Sequence, residues 1–172
     1  MLGGCGGVVI LDEVGPRFDY FDGDFSYANH KGAIYTDVGS NPFAVPQDRF
    51  HDQVLGLMQG QNSGPPATIV AHHTKQTHRP YRVVVLFNAD QSIPVHDYCH
   101  GTSKVQTVAK TGWTQMYMVF CIGNDLKTHA ARYVQGLNGT GDPRFGNLVQ
   151  GVTLALIPIQ DSENKGEDAN VP

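Results

Sequence analysis

Residues 112–123 read Gly-Trp-Thr-Gln-Met-Tyr-Met-Val-Phe-Cys-Ile-Gly, and the way this stretch alternates decides the fold. At period two, Trp113, Tyr117, Val119 and Cys121 share one face while Met116, Met118, Phe120 and Ile122 share the other. Neither face is polar, so the stretch predicts a strand in mid-sheet, covered on both sides. Residues 81–88 have the same character. Tyr81, Val83, Val85 and Phe87 alternate with Val84 and Leu86, which makes this segment the natural neighbour of the first.

Outward from these two strands, residues 8–14 predict an edge strand, 31–39 a strand closed by Gly-Ser-Asn-Pro, and 67–71 a short strand. Residues 125–135 read as a strand from the alternation of Leu126 through Val134, in competition with a short helix. Two segments carry helical periodicity. Pro46 suits a first helical position, Asp48 complements the dipole, and Phe50, Val54, Leu57 and Met58 form one stripe. Asp142 caps a second helix that begins at Pro143, with Phe145, Leu148, Val149, Val152 and Leu156 along its apolar face. Residues 18–27 alternate aromatics with aspartates. Without the terminal glutamate of a hand-type calcium loop, they read as a loop packed on the sheet by its rings. The expected fold is α+β, a single mostly antiparallel sheet with two main helices packed on it. The expected organisation is an anchor or linker over 1–12, one domain over 13–160 and a disordered acidic tail over 161–172.

Composition narrows function by exclusion. At 172 residues, 40% hydrophobic and 16% charged, the chain has the balance of one globular domain, and its 20 glycines and 10 prolines favour short elements over a helical bundle. A net charge of -4 with no basic cluster leaves no electrostatic footprint for nucleic acid. No apolar run approaches the roughly 18 residues that span a bilayer. The sequence Gly-x-Ser-x-Gly is absent, and Gly136, Gly139 and Gly141 lack the order of a dinucleotide loop. The reading is therefore non-enzymatic, with no cofactor. Asn138-Gly-Thr140 is a glycosylation acceptor only in a eukaryotic secretory host. His72, His73 and His78 in one connector, and His96 and His100 beside Cys99 in another, are the candidate metal ligands, because imidazole and thiolate suit zinc or copper.

Leu2, Gly3, Gly4 and Cys5 match the box that bacterial lipoprotein signal peptidase accepts, which makes Cys5 the candidate lipidation site, carrying acyl chains such as palmitate. If Cys5 is acylated, Cys99 and Cys121 are the two thiols left to pair in an oxidising compartment. The alternative is two unrelated thiols, with Cys99 a ligand beside His96 and His100.

Leu2 to Cys5, Asn41-Pro42-Phe43, Tyr81-Arg82-Val83-Val84, Cys99, Phe120-Cys121, Asp142-Pro143-Arg144-Phe145 and Leu156-Ile157-Pro158 together resemble the layout of small bacterial lipoproteins of unassigned activity. The resemblance spans most of residues 34–158 and implies an envelope location without implying a reaction. The expected function is a non-catalytic, lipid-anchored bacterial envelope protein on the periplasmic side of a membrane. It acts through protein contacts, as an accessory subunit of a membrane complex. The competing class is a periplasmic histidine-rich zinc or copper module. A lipobox works only behind a basic start and an apolar segment of about 7 to 15 residues. The DNA upstream of Met1 is therefore expected to encode such a leader in frame, and a stop codon immediately before Met1 would remove the basis for lipidation.

Overall fold

The computed structural model describes residues 10–14, 22–39, 41–62, 64–108 and 110–156. The proposed anchor at Cys5 and the expected tail over 161–172 lie outside the described residues. The core strands are β4 (Tyr81–Phe87) and β5 (Trp113–Ile122), paired antiparallel with Val84 opposite Val119. On the far side of β5 runs β6 (Asp125–Gln135), which resolves the ambiguity of that segment in favour of strand, and β1 (Ile10–Val14) pairs with β6 at the edge. On the other side of β4 lie β2 (Ala33–Val38) and then β3 (Thr68–Val70), giving the order β1-β6-β5-β4-β2-β3.

The sheet is α+β in its setting but mixed rather than mostly antiparallel, because β2 runs parallel to both β4 and β3. Period-two alternation is the same in either direction, so only the connections distinguish them. β2 reaches β3 through α2 (Gln47–Met58), a crossover of the kind parallel pairs require. The expectation of two main helices also needs revision. Three α-helices lie among the described residues, the additional one being α1 (Asp22–Ala28), overlapping the segment read as an aromatic loop. Its Phe25 is buried edge-on against Phe120 at 5.7 Å between ring centroids.

α2 starts one residue later than expected, with Pro46 as the cap rather than the first helical residue. It buries Phe50, Val54, Leu55 and Met58. α3 (Pro143–Leu156) buries Phe145, Leu148, Val149, Val152 and Leu156, and the Asp142 carboxylate accepts the Arg144 backbone N–H at 3.0 Å. At the other end of α3, the Thr128 hydroxyl donates to the Leu156 carbonyl at 3.1 Å, satisfying a group the helix leaves unpaired. These helices cover one face of the sheet, where Phe50 meets Phe87 at 5.0 Å and Phe43 meets Phe145 at 5.6 Å. Val83, Val85, Met116, Met118 and Phe120 line this side.

The opposite face carries Val84, Leu86, Tyr117, Val119, Cys121 and Ala131. It is covered by the long β4–β5 connection, which folds back as two short 3-10 helices, Val95–His100 and Thr102–Lys104. Tyr98 and Cys99 of this segment are fully buried, Tyr98 lying edge-on to Tyr117 at 5.6 Å. A disulfide joins Cys99 to Cys121 with alpha carbons 5.8 Å apart, inside the range such a bond needs. Asp37 of β2 holds the same segment by accepting the Thr102 backbone N–H and hydroxyl, each at 3.0 Å. Gly101, at φ +100, makes the turn between the two 3-10 helices.

At the β3 edge, the Gln59 side chain donates to the Ile69 carbonyl at 2.9 Å and accepts the Ile69 N–H at 3.0 Å. One side-chain amide thus occupies both outward backbone groups of that residue.

The Cys99–Cys121 bond closes a loop with a sequence separation of 22. On the chain-entropy relation such a loop contributes about 3 kcal/mol. Urea denaturation with and without a thiol reductant, and of the Cys99→Ala/Cys121→Ala double variant, is expected to show a loss of about that size. An unchanged midpoint in both comparisons would mean that packing alone holds the cover in place.

Candidate functional site

β4 ends at Asn88, which has φ 48, the one non-glycine residue with positive φ among the described residues. Asparagine tolerates this region better than most side chains, and here the structure secures it from several directions. Its backbone N–H donates to the Gln115 carbonyl at 2.9 Å, and its side-chain oxygen accepts the Gln115 N–H at 2.8 Å. Its own carbonyl accepts the Val108 N–H at 2.7 Å. Asn88 therefore registers both the start of β5 and the returning end of the β4–β5 connection.

Around that junction opens a cleft of about 940 Å³. Asn41 and Phe43 from the β2–α2 loop form one side, Ser103 and Thr107 from the covering segment another, and Leu137 and Asn138 after β6 a third. Lys110, Trp113 and Asn88 also line it. The β2–α2 loop is fixed by Asn41, whose side chain accepts the Phe43 N–H at 2.8 Å and donates to the Val45 carbonyl at 2.6 Å. The segment after β6 is fixed by Arg144, which donates to the carbonyls of Gln135 at 3.0 Å and Gly136 at 2.7 Å. The same guanidinium donates to Asp142 at 2.9 Å and holds that carboxyl down at about 2.

Behind the cleft, Gln115 is fully buried on the otherwise apolar face of β5. Its amide nitrogen donates to the Tyr133 hydroxyl at 2.6 Å, that hydroxyl lies 3.2 Å from the Tyr117 hydroxyl, and its oxygen accepts from the Lys110 ammonium. The Lys110 nitrogen also sits 6.0 Å from the centroid of the Tyr133 ring. Burial pushes the Lys110 pKa down. The cleft thus presents amides, hydroxyls, an indole and one ammonium in a concavity of ligand size.

The candidate metal ligands fall in separate places. His72 borders a cavity of about 380 Å³ with Asp48, His51 and Asp52 of α2. His73 packs on Tyr35 at 4.1 Å, and its Nδ1 lies 3.3 Å from the Thr77 hydroxyl. Burial, and then the charges of Arg79 and Arg82, lower its pKa. His78 stands in an aromatic cluster with Tyr27 at 5.1 Å, Tyr81 at 5.0 Å and His30 at 5.3 Å. His96 and His100 flank Asp97 on the covering segment, at 3.1 and 3.8 Å from its carboxylate, pairs that form when the imidazoles are protonated. Cys99, between them, is committed to the disulfide. No group of three or more His, Cys, Asp or Glu side chains able to hold a metal ion occurs among the described residues. The sequence reading did not single out Lys110, Asn88 or Gln115. The one local sign was a glutamine inside an otherwise apolar strand.

Comparison with protein-family models, with curated proteins and with solved structures returns no match for this chain. Among the described residues no helix is long and apolar enough to cross a membrane.

The histidine environments generate a pH dependence. The His78 pKa is lowered by burial, then by Lys31 and by His30, and the His73 pKa is lowered as described above. A histidine whose folded pKa lies below its ordinary value of about 6.5 remains neutral where the unfolded chain already takes up a proton. This contribution to stability is complete above about pH 6.5 and is lost as pH falls toward the folded pKa. The thermal midpoint is therefore expected to drop on acidification from about pH 7.5 to 5.5, and less steeply for His78→Gln. Identical pH profiles for the parent and the variant would disprove the assignment to His78.

Proposed function

We propose that this protein is a non-catalytic module of an oxidising envelope compartment, held at a bacterial membrane by lipid on Cys5 and acting through contacts with a partner protein. The observation that carries the reading is the disulfide between two fully buried cysteines, Cys99 and Cys121. Such bonds persist in secreted and periplasmic proteins and are rare in the cytosol, where thiols are kept reduced. Here the bond is one of the attachments that hold the second cover of the sheet, so folding and compartment are linked. The pairing also leaves Cys5 as the only other cysteine of the chain, which is the position the lipobox motif specifies for acylation. A full set of acyl chains holds a domain of this size at a bilayer without a spanning helix, since each buried methylene contributes about 0.8 kcal/mol.

The test is expression in a bacterial host from the natural gene with its upstream sequence. The protein is expected in the membrane fraction, with mass spectrometry placing acyl chains on an N-terminal Cys5 and thiol titration finding Cys99 and Cys121 oxidised. Cys5→Ser should release it from the membrane. A chain found in the cytosol with three free thiols would overturn the proposal.

A further inference from the structure

Lys110 lacks a counter-charge in the cleft at Asn88. Its ammonium is partly buried, donates to the neutral Gln115 oxygen and lies near the Tyr133 ring, and it makes no ion pair among the described residues. None of the described residues lining the cleft is acidic, and Lys110 is the one cation among them. Removing an ammonium from water without a charged partner is unfavourable, and a bound anion would offset that cost.

Asn88 supplies a second polar group. It is only 5% exposed and it lines the cleft. Its oxygen is taken by the Gln115 N–H, which leaves the Nδ2 as the amide group open to a solute. Both groups are held by the same residue, because Gln115 takes the Lys110 ammonium on its side chain and holds Asn88 through its backbone.

We infer that the cleft is a binding site for a small solute bearing one carboxylate, of the size and polarity of an acidic monosaccharide. The carboxylate bridges the Lys110 ammonium and the Asn88 Nδ2. The hydroxyls of Ser103 and Thr107 and the amide of Asn138 meet the solute's polar edge, and the ring face lies on Trp113. A single ammonium matches a monoanion in charge. Phosphate recognition favours arginine forks or clustered backbone N–H groups, and no arginine is among the described lining residues. The volume of about 940 Å³ lies within the range of small-molecule sites. This inference holds independently of whether Cys5 carries lipid.

Trp113 is the single tryptophan of the chain, so its emission reports on the cleft without interference from another indole. The full-length protein is titrated with glucuronate, glucose and inorganic phosphate while Trp113 fluorescence is followed. Glucuronate is expected to give a saturable change and to bind at least about tenfold more tightly than glucose, the scale of a charge-assisted hydrogen bond. Lys110→Met should abolish that preference and Lys110→Arg should retain part of it. Ser103→Glu, on the exposed rim, guards against a Lys110 variant that does not fold. Its added negative charge should weaken glucuronate more than glucose. Equal affinity for glucuronate and glucose, saturation by neither, tighter binding of phosphate, or an undiminished preference in Lys110→Met or Ser103→Glu would each overturn the assignment.

Discussion

A sheet whose central strands carry apolar side chains on both faces must be covered twice, and the rest of this structure follows from how the second cover is made. Helices supply the first cover in the ordinary way, with Phe50, Phe145 and their neighbours packed against Phe87 and Met116. For the second, the chain uses an irregular connection with little regular hydrogen bonding of its own. Such a segment loses conformational entropy on ordering without the return that a helix gives. Three attachments offset this: the disulfide to Cys121, the Asp37 carboxylate on Thr102, and the burial of Tyr98 against Tyr117.

The cleft is a by-product of the same solution. A connection pinned at Cys99 must still return to begin β5, and it does so at Asn88, whose left-handed backbone and side-chain oxygen set both chain directions at once. The returning segment and the loops from the other side of the sheet stand apart there, leaving a concavity backed by Gln115, Tyr133 and Tyr117. A polar residue near the start of β5 thus backs the cleft while the apolar residues that follow it hold the sheet. Bracing and recognition are therefore physically coupled, because one wall of the cleft belongs to the segment that the disulfide holds.

How much of this was legible in the sequence depended on whether the signal was local. The two-sided apolar strands, the helix beginning at Pro143 and the pairing of Cys99 with Cys121 could be read because alternation, capping and cysteine count are properties of neighbouring residues or of simple arithmetic. The parallel placement of β2 could not, since Ile34, Thr36 and Val38 alternate identically in either direction. α1 was hidden because the phenylalanines and aspartates of residues 18–27 mimic a strand or loop pattern, although Phe25 is buried from a helix. The cleft was illegible because its parts lie far apart in the chain and meet only after Asn88 adopts a backbone conformation that its neighbours do not announce. The histidines misled in the opposite direction. Closeness in sequence suggested a shared site, but the turns of the β3–β4 connector send His73 to Tyr35 and His78 to Tyr27 and Tyr81.

The Gln59 amide against Ile69 bears on how copies of this protein behave when crowded together. An outer strand with free backbone donors and acceptors is a template on which another chain can add a strand, and aggregation often begins there. Here β3 is only three residues long, and at Ile69 both outward backbone groups are already occupied by a side chain of the same molecule. An incoming strand would have to displace that amide before its first hydrogen bond could form. On this edge the molecule completes its own sheet, which disfavours the addition of a further strand there even where local concentration is high.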